Sequence, residues 1–195
     1  PDVVLAPPSS RALDRLEALG LKVMVIDANT HADVRRSLAT VAQLLGAPQQ
    51  AEVVWAQIQA QLAQAQARVP AAWRGQRVYF EVESSPYAAG PSSFIGQTLV
   101  LLGMANIVTP ELGPFPKLNP EYVVRAQPAV VMAAARNLRT MRSRPGWPAL
   151  RALQGGQHCG FETERYELLI RPGPRLGEAA LVLAVADTMV TPVPN

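Results

Sequence analysis

The feature that most constrains this chain is a long stretch, residues 49–69, that contains neither glycine nor proline. It is rich in alanine and glutamine, and apolar residues recur in it at alternating spacings of three and four: Trp55, Ile58, Leu62, Ala65 and Val69. This periodicity predicts one helix of about 20 residues, roughly 30 Å long. Such a helix is too long for a tight crossover between neighbouring parallel strands, so the sequence favours a rigid connection between two lobes.

The residues before this helix alternate between strand and helix patterns. Residues 3–6 predict a short buried strand, residues 11–19 a helix that Gly20 closes, and residues 22–26 a second strand. A second helix begins after Thr30, which has the spacing of a capping box, and ends before the long stretch. The order strand, helix, strand, helix predicts a parallel α/β arrangement.

The stretch after the long helix, residues 78–108, predicts a strand, a shaped loop and a helix in that order. Residues 78–82 are rich in β-branched and aromatic side chains, and residues 83–91 combine proline, glycine and serine around Tyr87. A pair of serines after this loop can cap the helix that follows. A strand that ends in a rigid loop with an exposed aromatic side chain is a common ligand-facing edge of an α/β domain.

The second half of the chain repeats the build of the first. Residues 130–132 predict a core strand, and the pattern Pro-x-Val-Val-aliphatic at residues 1–5 and 128–132 is a weak internal repeat that indicates two similar lobes. The remaining predictions are a helix at residues 147–153, a strand at 157–161, a loop at 162–170, and a final helix that starts after Pro172 or Pro174 and buries Leu176, Ala180, Leu183 and Val190.

Composition places the chain among folded proteins and argues against several function classes. Of its 195 residues, 49% are hydrophobic and 17% are charged, and the net charge is +3. No block of lysine and arginine is interleaved with aromatic residues, so nothing indicates nucleic-acid binding. No apolar run approaches the roughly 20 residues of a membrane span, and no signal peptide is visible. The single cysteine, Cys159, excludes an internal disulfide and a thiolate metal cluster, and it fits the cytoplasm and the periplasm equally.

The chain carries no motif of a common enzyme class. It has no nucleophile elbow, phosphate-binding loop, dinucleotide fingerprint or zinc-protease motif. His31 and His158 are its only histidines, one at a predicted helix start and one in a predicted strand. Two histidines argue against a free zinc or manganese site, so both are interpreted as structural or exposed. We therefore expect no catalytic residue and no metal bound directly by the protein.

Several segments of the chain resemble the class III (TroA-like) solute-binding proteins of ABC importers, in the branch that binds cobalamin, ferric siderophores and haem. The first four matching segments form a fairly specific run, and together the segments cover most of the chain. The matches are residues 79–82, 86–90, 93–96, 101–107, 118–124, 144–147 and 171–175.

This resemblance implies an α/β fold of two lobes, with parallel-type sheets flanked by helices and one long backbone helix that joins the lobes. Residues 1–47 would then be the remaining part of the N-terminal lobe, residues 48–70 the inter-lobe helix, and residues 71–195 the C-terminal lobe. The same resemblance implies that the first section of the N-terminal lobe and any export signal are absent from this sequence.

The resemblance also implies a function. The protein would capture a bulky metal chelate, such as cobalamin, a ferric siderophore or haem, in the cleft between the lobes and deliver it to an ABC permease in the inner membrane. We expect a monomer that is periplasmic or lipid-anchored outside the cytoplasmic membrane, needs no cofactor, binds no nucleic acid and is not an enzyme. Two alternatives stay open: a cofactor-dependent enzyme on a related doubly wound fold, which needs titratable groups clustered in the cleft, and a non-transport interaction domain, which predicts a filled cleft.

The resemblance implies ligand contacts at Tyr87 and Phe115, and the other candidates are a tyrosine, two prolines, a serine and an arginine on the cleft side. The residues expected to line the cleft are Tyr87, Phe115, Tyr166, Pro7, Pro8, Ser9 and Arg136. Cobalamin binders often carry tryptophan where this chain has proline in the first lobe. Arg136 begins a series with Arg139, Arg142 and Arg144 that suits carboxylates, such as haem propionates or an acidic siderophore. Trp147 is expected in the core, and Arg175 is expected to bind backbone carbonyls or a carboxylate.

Glu121 begins a predicted helix, where the helix dipole favours a carboxylate. The resemblance implies a further role, because a matching glutamate in the family pairs with arginines of the permease. The first lobe should carry a second docking acid. This chain has Ser10 and Arg11 at the equivalent place, with Asp14 and Glu17 further along.

Overall fold

Two separate sheets organise the protein, as a computed structural model shows for residues 1–8, 10–84 and 86–185. The smaller sheet pairs strand β1 (Val4–Ala6) with strand β2 (Val23–Val25) in parallel. Helix α1 (Leu13–Ala18) connects these strands, and helix α2 (His31–Leu44) follows them. This order confirms the predicted parallel α/β arrangement in the first part of the chain.

The prediction that the first strand is buried is wrong. Leu5 in β1 and Val25 in β2 are 46% and 51% exposed, and only Ala6 of β1 is buried. Helix α1 buries none of its six residues, and Leu19, the last residue of the predicted helix, is exposed. A two-stranded sheet and a short helix offer too little surface to enclose an apolar core.

Helix α3 (Gln49–Arg68) confirms the long helix predicted from the sequence. It packs against α2 and along helix α9 (Leu176–Ala184), the last helix in the described part of the chain. Gly177 of α9 permits close approach, because a Cβ atom there would lie 2.6 Å from the Cβ atom of Gln61. The connecting helix is therefore attached to the C-terminal part of the protein. The division into residues 1–47, 48–70 and 71–195 stays a prediction.

The larger sheet forms around strand β3 (Arg77–Glu83). Strand β6 (Val130–Ala134) pairs with β3 in parallel, and strand β7 (His158–Phe161) pairs with β6 in parallel. Two short strands, which the sequence did not predict, complete the sheet: β5 (Ala105–Asn106), parallel to the first half of β3, and β4 (Tyr87–Ala88), antiparallel to its second half. The three longer strands confirm the predicted core of the second lobe.

Helices flank the larger sheet, which confirms the predicted fold class. They are α4 (Phe94–Leu101), α5 (Pro120–Ala126), α6 (Ala135–Met141), α7 (Arg151–Gln154) and α8 (Thr163–Ile170). Single 3₁₀ turns lie at Ala71–Trp73, Pro110–Leu112 and Trp147–Ala149. Among the residues that the structure describes, no helix has the length and apolarity needed to cross a membrane.

Two segments differ from the prediction. Residues 162–170, predicted as a loop, form mostly helix α8, which buries two residues that lie three apart. The helix predicted at residues 147–153 is divided into a 3₁₀ turn and α7 by Leu150, whose backbone is extended at φ −69° and ψ 115°. The final helix begins at Leu176, as predicted, whereas Val190 lies outside the described residues.

The larger sheet is buried on both faces. On the face toward α3, the Phe80 ring stacks with the rings of Phe161 and Tyr166, at centroid distances of 6.3 and 6.4 Å. On the opposite face, the Tyr79 ring meets the edge of Trp147 at 5.8 Å. Trp147 is fully buried, which confirms its predicted place in the core.

Candidate functional site

A cavity opens between loops of the two sheets. Its volume is about 460 Å³, within the range of roughly 300–1,000 Å³ that is typical of small-molecule sites. The first wall, from the loops after β1 and β2, is lined by Pro7, Pro8, Ile26, Asp27, Ala28 and Asn29. The second wall, from the larger sheet and its helices, is lined by Val82, Phe94, Phe115, Ile170 and Pro172.

The first wall is held against the second by backbone contacts. One of its loops follows β1, and the other, residues 26–29, follows β2, so both leave the carboxyl ends of parallel strands, where α/β folds commonly bind ligands. The Asn29 carbonyl oxygen accepts a hydrogen bond from the Phe94 backbone N–H at 2.5 Å. Thr30 and Asp33 then form the predicted capping box, which fixes the start of α2 beside the start of α4.

Two phenylalanines form the aromatic part of the second wall. The rings of Phe94 and Phe115 meet edge to face, with their centroids 5.9 Å apart. The loop that carries Phe115 is fixed by a hydrogen bond of 2.8 Å from the Gly90 backbone N–H to the Pro114 carbonyl oxygen. Only glycine permits this approach, because a Cβ atom on Gly90 would lie 2.3 Å from the Gly113 carbonyl oxygen. The half-buried Phe115 therefore reaches the cavity from a defined backbone.

His31 links the two walls through α2 and α4. Its Nε2 atom lies 3.0 Å from the Phe94 carbonyl oxygen and 2.9 Å from the Thr98 hydroxyl oxygen. Its backbone N–H donates to the side-chain oxygen of Gln97 at 2.8 Å. Burial lowers the pKa of His31 below its usual value of 6.5, and the contact with the Phe94 carbonyl offsets this only in part. The geometry is that of a structural contact between helices.

The lowered pKa of His31 has a consequence for stability. As the pH falls below 6.5, the unfolded chain binds a proton at His31 before the folded protein does, so the free energy of unfolding should decrease. Urea unfolding at about pH 7.5 and about pH 5.5 measures this decrease. The His31→Gln variant should show a smaller decrease in the free energy of unfolding between the two pH values. In His158→Gln, which retains His31, the decrease should not become smaller. A pH dependence that is unchanged in His31→Gln would refute the assignment.

Two tyrosines predicted as ligand contacts are not among the described residues that line the cavity. Tyr87 is half-buried in β4 and forms an antiparallel bridge with Lys117. Tyr166 is 3% exposed, and its hydroxyl donates to the carbonyl oxygens of Val82, at 2.5 Å, and Glu81, at 3.1 Å. Burial raises the pKa of Tyr166, so the hydroxyl stays protonated and acts as a donor. Ligand contact by either tyrosine stays a prediction.

The predicted series of arginines is distributed over different places. Arg136 and Arg139 are exposed and line a second, smaller pocket at the carboxyl ends of β6 and β7. Arg142 donates a hydrogen bond to the Leu153 carbonyl oxygen, and Arg144 forms a buried ion pair. The structure thus does not bring these side chains to one point, and ligand contact by Arg136 stays a prediction.

The remaining predicted residues are Pro7, Pro8, Ser9 and Glu121. Pro7 and Pro8 line the first wall of the cavity, whereas Ser9 lies outside the described residues. Glu121 is exposed at the start of α5, where its backbone N–H donates to the side-chain oxygen of Asn119 at 2.9 Å. This confirms the predicted helix start, and docking by Glu121 stays a prediction.

A buried ion pair behind the end of β3 was not predicted from the sequence. Glu81 is fully buried, and the guanidinium of Arg144 donates to its carboxylate at 2.5 and 2.9 Å. The Tyr79 hydroxyl donates to the same carboxylate at 2.9 Å, and the Asn137 amide at 3.3 Å. Arg144 also lies over the Trp147 ring, 4.6 Å from its centroid. The one signal in the sequence is a glutamate inside the strand, between Phe80 and Val82.

The cavity itself is mostly apolar. Asp27 is the one ionisable side chain among the described residues that line it, and its carboxylate accepts a hydrogen bond from the Asn29 amide at 2.7 Å. Within the described ranges, no group of three or more histidine, cysteine, aspartate or glutamate side chains could hold a metal ion. The site offers apolar walls, one carboxylate and one amide.

Comparison with known proteins identifies the family of this chain and several of its relatives. A family model described as periplasmic binding protein matches residues 1–159. The cobalamin-binding protein of Halobacterium salinarum is 32% identical over 138 residues, which cover 68% of this chain. The chain spans only 37% of the length of that relative.

Two solved structures are similar in fold. A possible iron-binding periplasmic protein from Staphylococcus epidermidis superimposes with a TM-score of 0.77 at 22% identity, covering 96% of this chain and 76% of that one. The periplasmic haem-binding protein RhuT from Roseiflexus superimposes with a TM-score of 0.75 at 23% identity, covering 98% of this chain and 77% of that one. Both likenesses establish a common architecture.

Proposed function

The chain belongs to the periplasmic binding protein family, and we propose that it binds a bulky metal chelate in the cavity between its two sheets. The cavity carries this proposal, because it is open and about 460 Å³ in volume, with apolar walls and few polar groups. An interaction domain without a ligand would have a filled cleft. Acid–base catalysis needs a positioned acid and a positioned base, whereas Asp27 is the one ionisable side chain in the described lining.

The relatives support this class of ligand. One is named cobalamin-binding, one is described as possibly iron-binding and one as haem-binding. Cobalamin and haem both hold a metal inside a large flat ring. For this chain we propose a ligand of the same kind, captured outside the cytoplasmic membrane and delivered to an ABC permease, with the exposed Glu121 as one docking contact.

Apolar contact supplies most of the affinity in this account. The rings of Phe94 and Phe115 and the prolines of the first wall exclude water from a large flat ligand, while Asp27 and Asn29 orient it through hydrogen bonds. Helix α3 packs against α2 in the first lobe and along α9 in the second, so it is a stiff connection and closure of the cleft is small. The permease therefore distinguishes the loaded protein by modest shifts between the lobes.

Replacing Phe115 with alanine should weaken chelate binding by about tenfold or more, because burial of an aromatic side chain contributes about 1.5–3 kcal/mol. Quenching of tryptophan fluorescence measures this in titrations with cyanocobalamin, haemin and a panel of ferric siderophores. The unaltered protein should show saturable quenching by at least one of these ligands, with a dissociation constant that is micromolar or lower.

Leu112→Ala is the matched control for this titration. Leu112 is 45% exposed, lies three residues before Phe115 and is not among the described residues of the cavity, so its loss should leave binding unchanged. Tyr87→Ala tests that residue separately. A folded protein that gives no response to any ligand would contradict the proposed function. Equal losses of chelate affinity in Phe115→Ala and Leu112→Ala would show that the effect comes from the loop as a whole and not from the cavity.

A further inference from the structure

We infer that the cavity selects chelates whose metal is already fully coordinated and whose charge is neutral or positive, and that it discriminates against haem. This inference rests on the proposed function and names the ligand class within it. Two independent properties of the cavity lining support this inference: the types of its side chains and its charge.

The described lining offers no side chain suited to ligate haem iron. Haem proteins hold the iron through histidine, cysteine, methionine or tyrosine, and none of the described lining residues is of these types. Tyr87 is not among these lining residues, and two candidates on neighbouring elements are engaged elsewhere. The Nε2 atom of His31 contacts Phe94 and Thr98, and the Tyr166 hydroxyl donates to two carbonyl oxygens of β3. The cargo must therefore arrive with its metal fully ligated, as in cobalamin or a hydroxamate siderophore.

The charge of the lining also favours neutral or cationic chelates. Asp27 makes the cavity negative, whereas Arg136 lines the smaller pocket, which shares no described lining residue with the cavity. Arg144 is held by the buried carboxylate of Glu81. Arg171, between the lining residues Ile170 and Pro172, is exposed and pairs with Glu167. The propionates of haem would be repelled by the carboxylate of Asp27 and would lose water without gaining a cationic partner among the described lining residues. Amide or ammonium groups of a neutral or cationic chelate can instead donate hydrogen bonds to Asp27.

Three probes test the inference on the same protein: cyanocobalamin, which is neutral; ferrioxamine B, a cationic hydroxamate; and haemin, which carries propionates. We expect cyanocobalamin or ferrioxamine B to bind, and haemin to bind at least about tenfold more weakly than the better of the two. We also expect bound haemin to show the Soret band of monomeric haemin without a protein ligand, because no side chain of the cavity ligates the iron.

Variants of Asp27 isolate the effect of charge. Asp27→Asn removes the charge and keeps the size and the acceptor oxygen, so it should reduce the discrimination against haemin by about three- to tenfold. Asp27→Glu keeps the charge and should preserve the discrimination. Unchanged discrimination in Asp27→Asn would overturn the role of this residue.

The other outcomes separate the inference from the function on which it rests. Haemin that binds as tightly as the other probes, or that shows the Soret band of haem with a protein ligand, would overturn the inference and leave chelate binding in place. A folded protein that binds none of the three probes would overturn both.

Discussion

Replacing Arg144 with methionine is expected to lower the free energy of unfolding by about 3–5 kcal/mol, because the Glu81 carboxylate would stay buried without its charge partner. The Glu81 side chain is fully buried, and that of Arg144 is 16% exposed. Two N–H groups of the guanidinium donate to the carboxylate, and the same guanidinium covers the Trp147 ring. Chemical denaturation followed by circular dichroism measures the loss.

A double variant and a surface control complete this experiment. Glu81→Leu combined with Arg144→Met removes both charges, so part of the lost stability should return. Arg175 pairs with Glu178, a carboxylate partner of the kind predicted from the sequence, but both side chains are largely exposed. Arg175→Met should therefore lower the free energy of unfolding far less than Arg144→Met does. Similar losses in the free energy of unfolding of Arg144→Met and Arg175→Met would show that the buried ion pair stabilises the protein no more than the exposed pair does.

Replacing Gly96 with alanine is the second change with a large expected effect, a loss of about 3 kcal/mol in the free energy of unfolding. A Cβ atom there would lie 1.9 Å from the Gly90 carbonyl oxygen and 2.9 Å from the Cα atom of Pro91. Both are backbone atoms, so no side-chain rotation can relieve the clash. Moving Gly90 disturbs its hydrogen bond to Pro114 and hence the position of Phe115. Chelate binding should therefore weaken even where the variant is folded.

Gly173→Ala is the matched control for this variant. An added Cβ atom at Gly173 has no heavy atom within 4 Å, so the change in stability should stay within about 0.5 kcal/mol. Chemical denaturation and ligand titration on both variants give the comparison. A Gly96→Ala protein with the stability and affinity of the parent would refute the close contact between α4 and the turn at Gly90.

Elements with a strong local signal could be predicted from the sequence. Helix α3 has 20 residues, a continuous apolar stripe and no glycine or proline, so its length and type follow from local periodicity alone. The strands β3 and β6 follow from short runs that contain β-branched residues and are bounded by loop residues. The start of α4 follows from Ser93, whose hydroxyl accepts a hydrogen bond from the Gly96 backbone N–H as an N-cap.

Elements that depend on distant contacts could not be predicted in this way. Helix α8 has no side-chain cap at Glu162, and it is stabilised by burial of Tyr166 and Leu169 against the sheet. The role of Glu81 depends on Arg144, 63 residues later in the chain, so nothing in the local sequence shows that its charge is neutralised. Tertiary packing decides both cases.

The candidate site was predictable in part. Phe115, Pro7 and Pro8 lie in the cavity, at positions implied by the family resemblance, and their contact with a ligand stays a prediction. For residues 26–29, which form most of the first wall, the sequence predicts only the end of the second strand and the loop before α2. Their place at the carboxyl end of β2 was the available signal, because loops at these ends meet along one edge of a parallel sheet.

Hydrogen–deuterium exchange with and without the bound chelate tests the central claim most directly. The account predicts slower exchange in two loops that contribute to the walls, residues 26–29 and 113–118, and little change in α5. Protection confined to the smaller pocket around Arg136, or saturable binding without protection of either loop, would contradict a binding site between the two sheets.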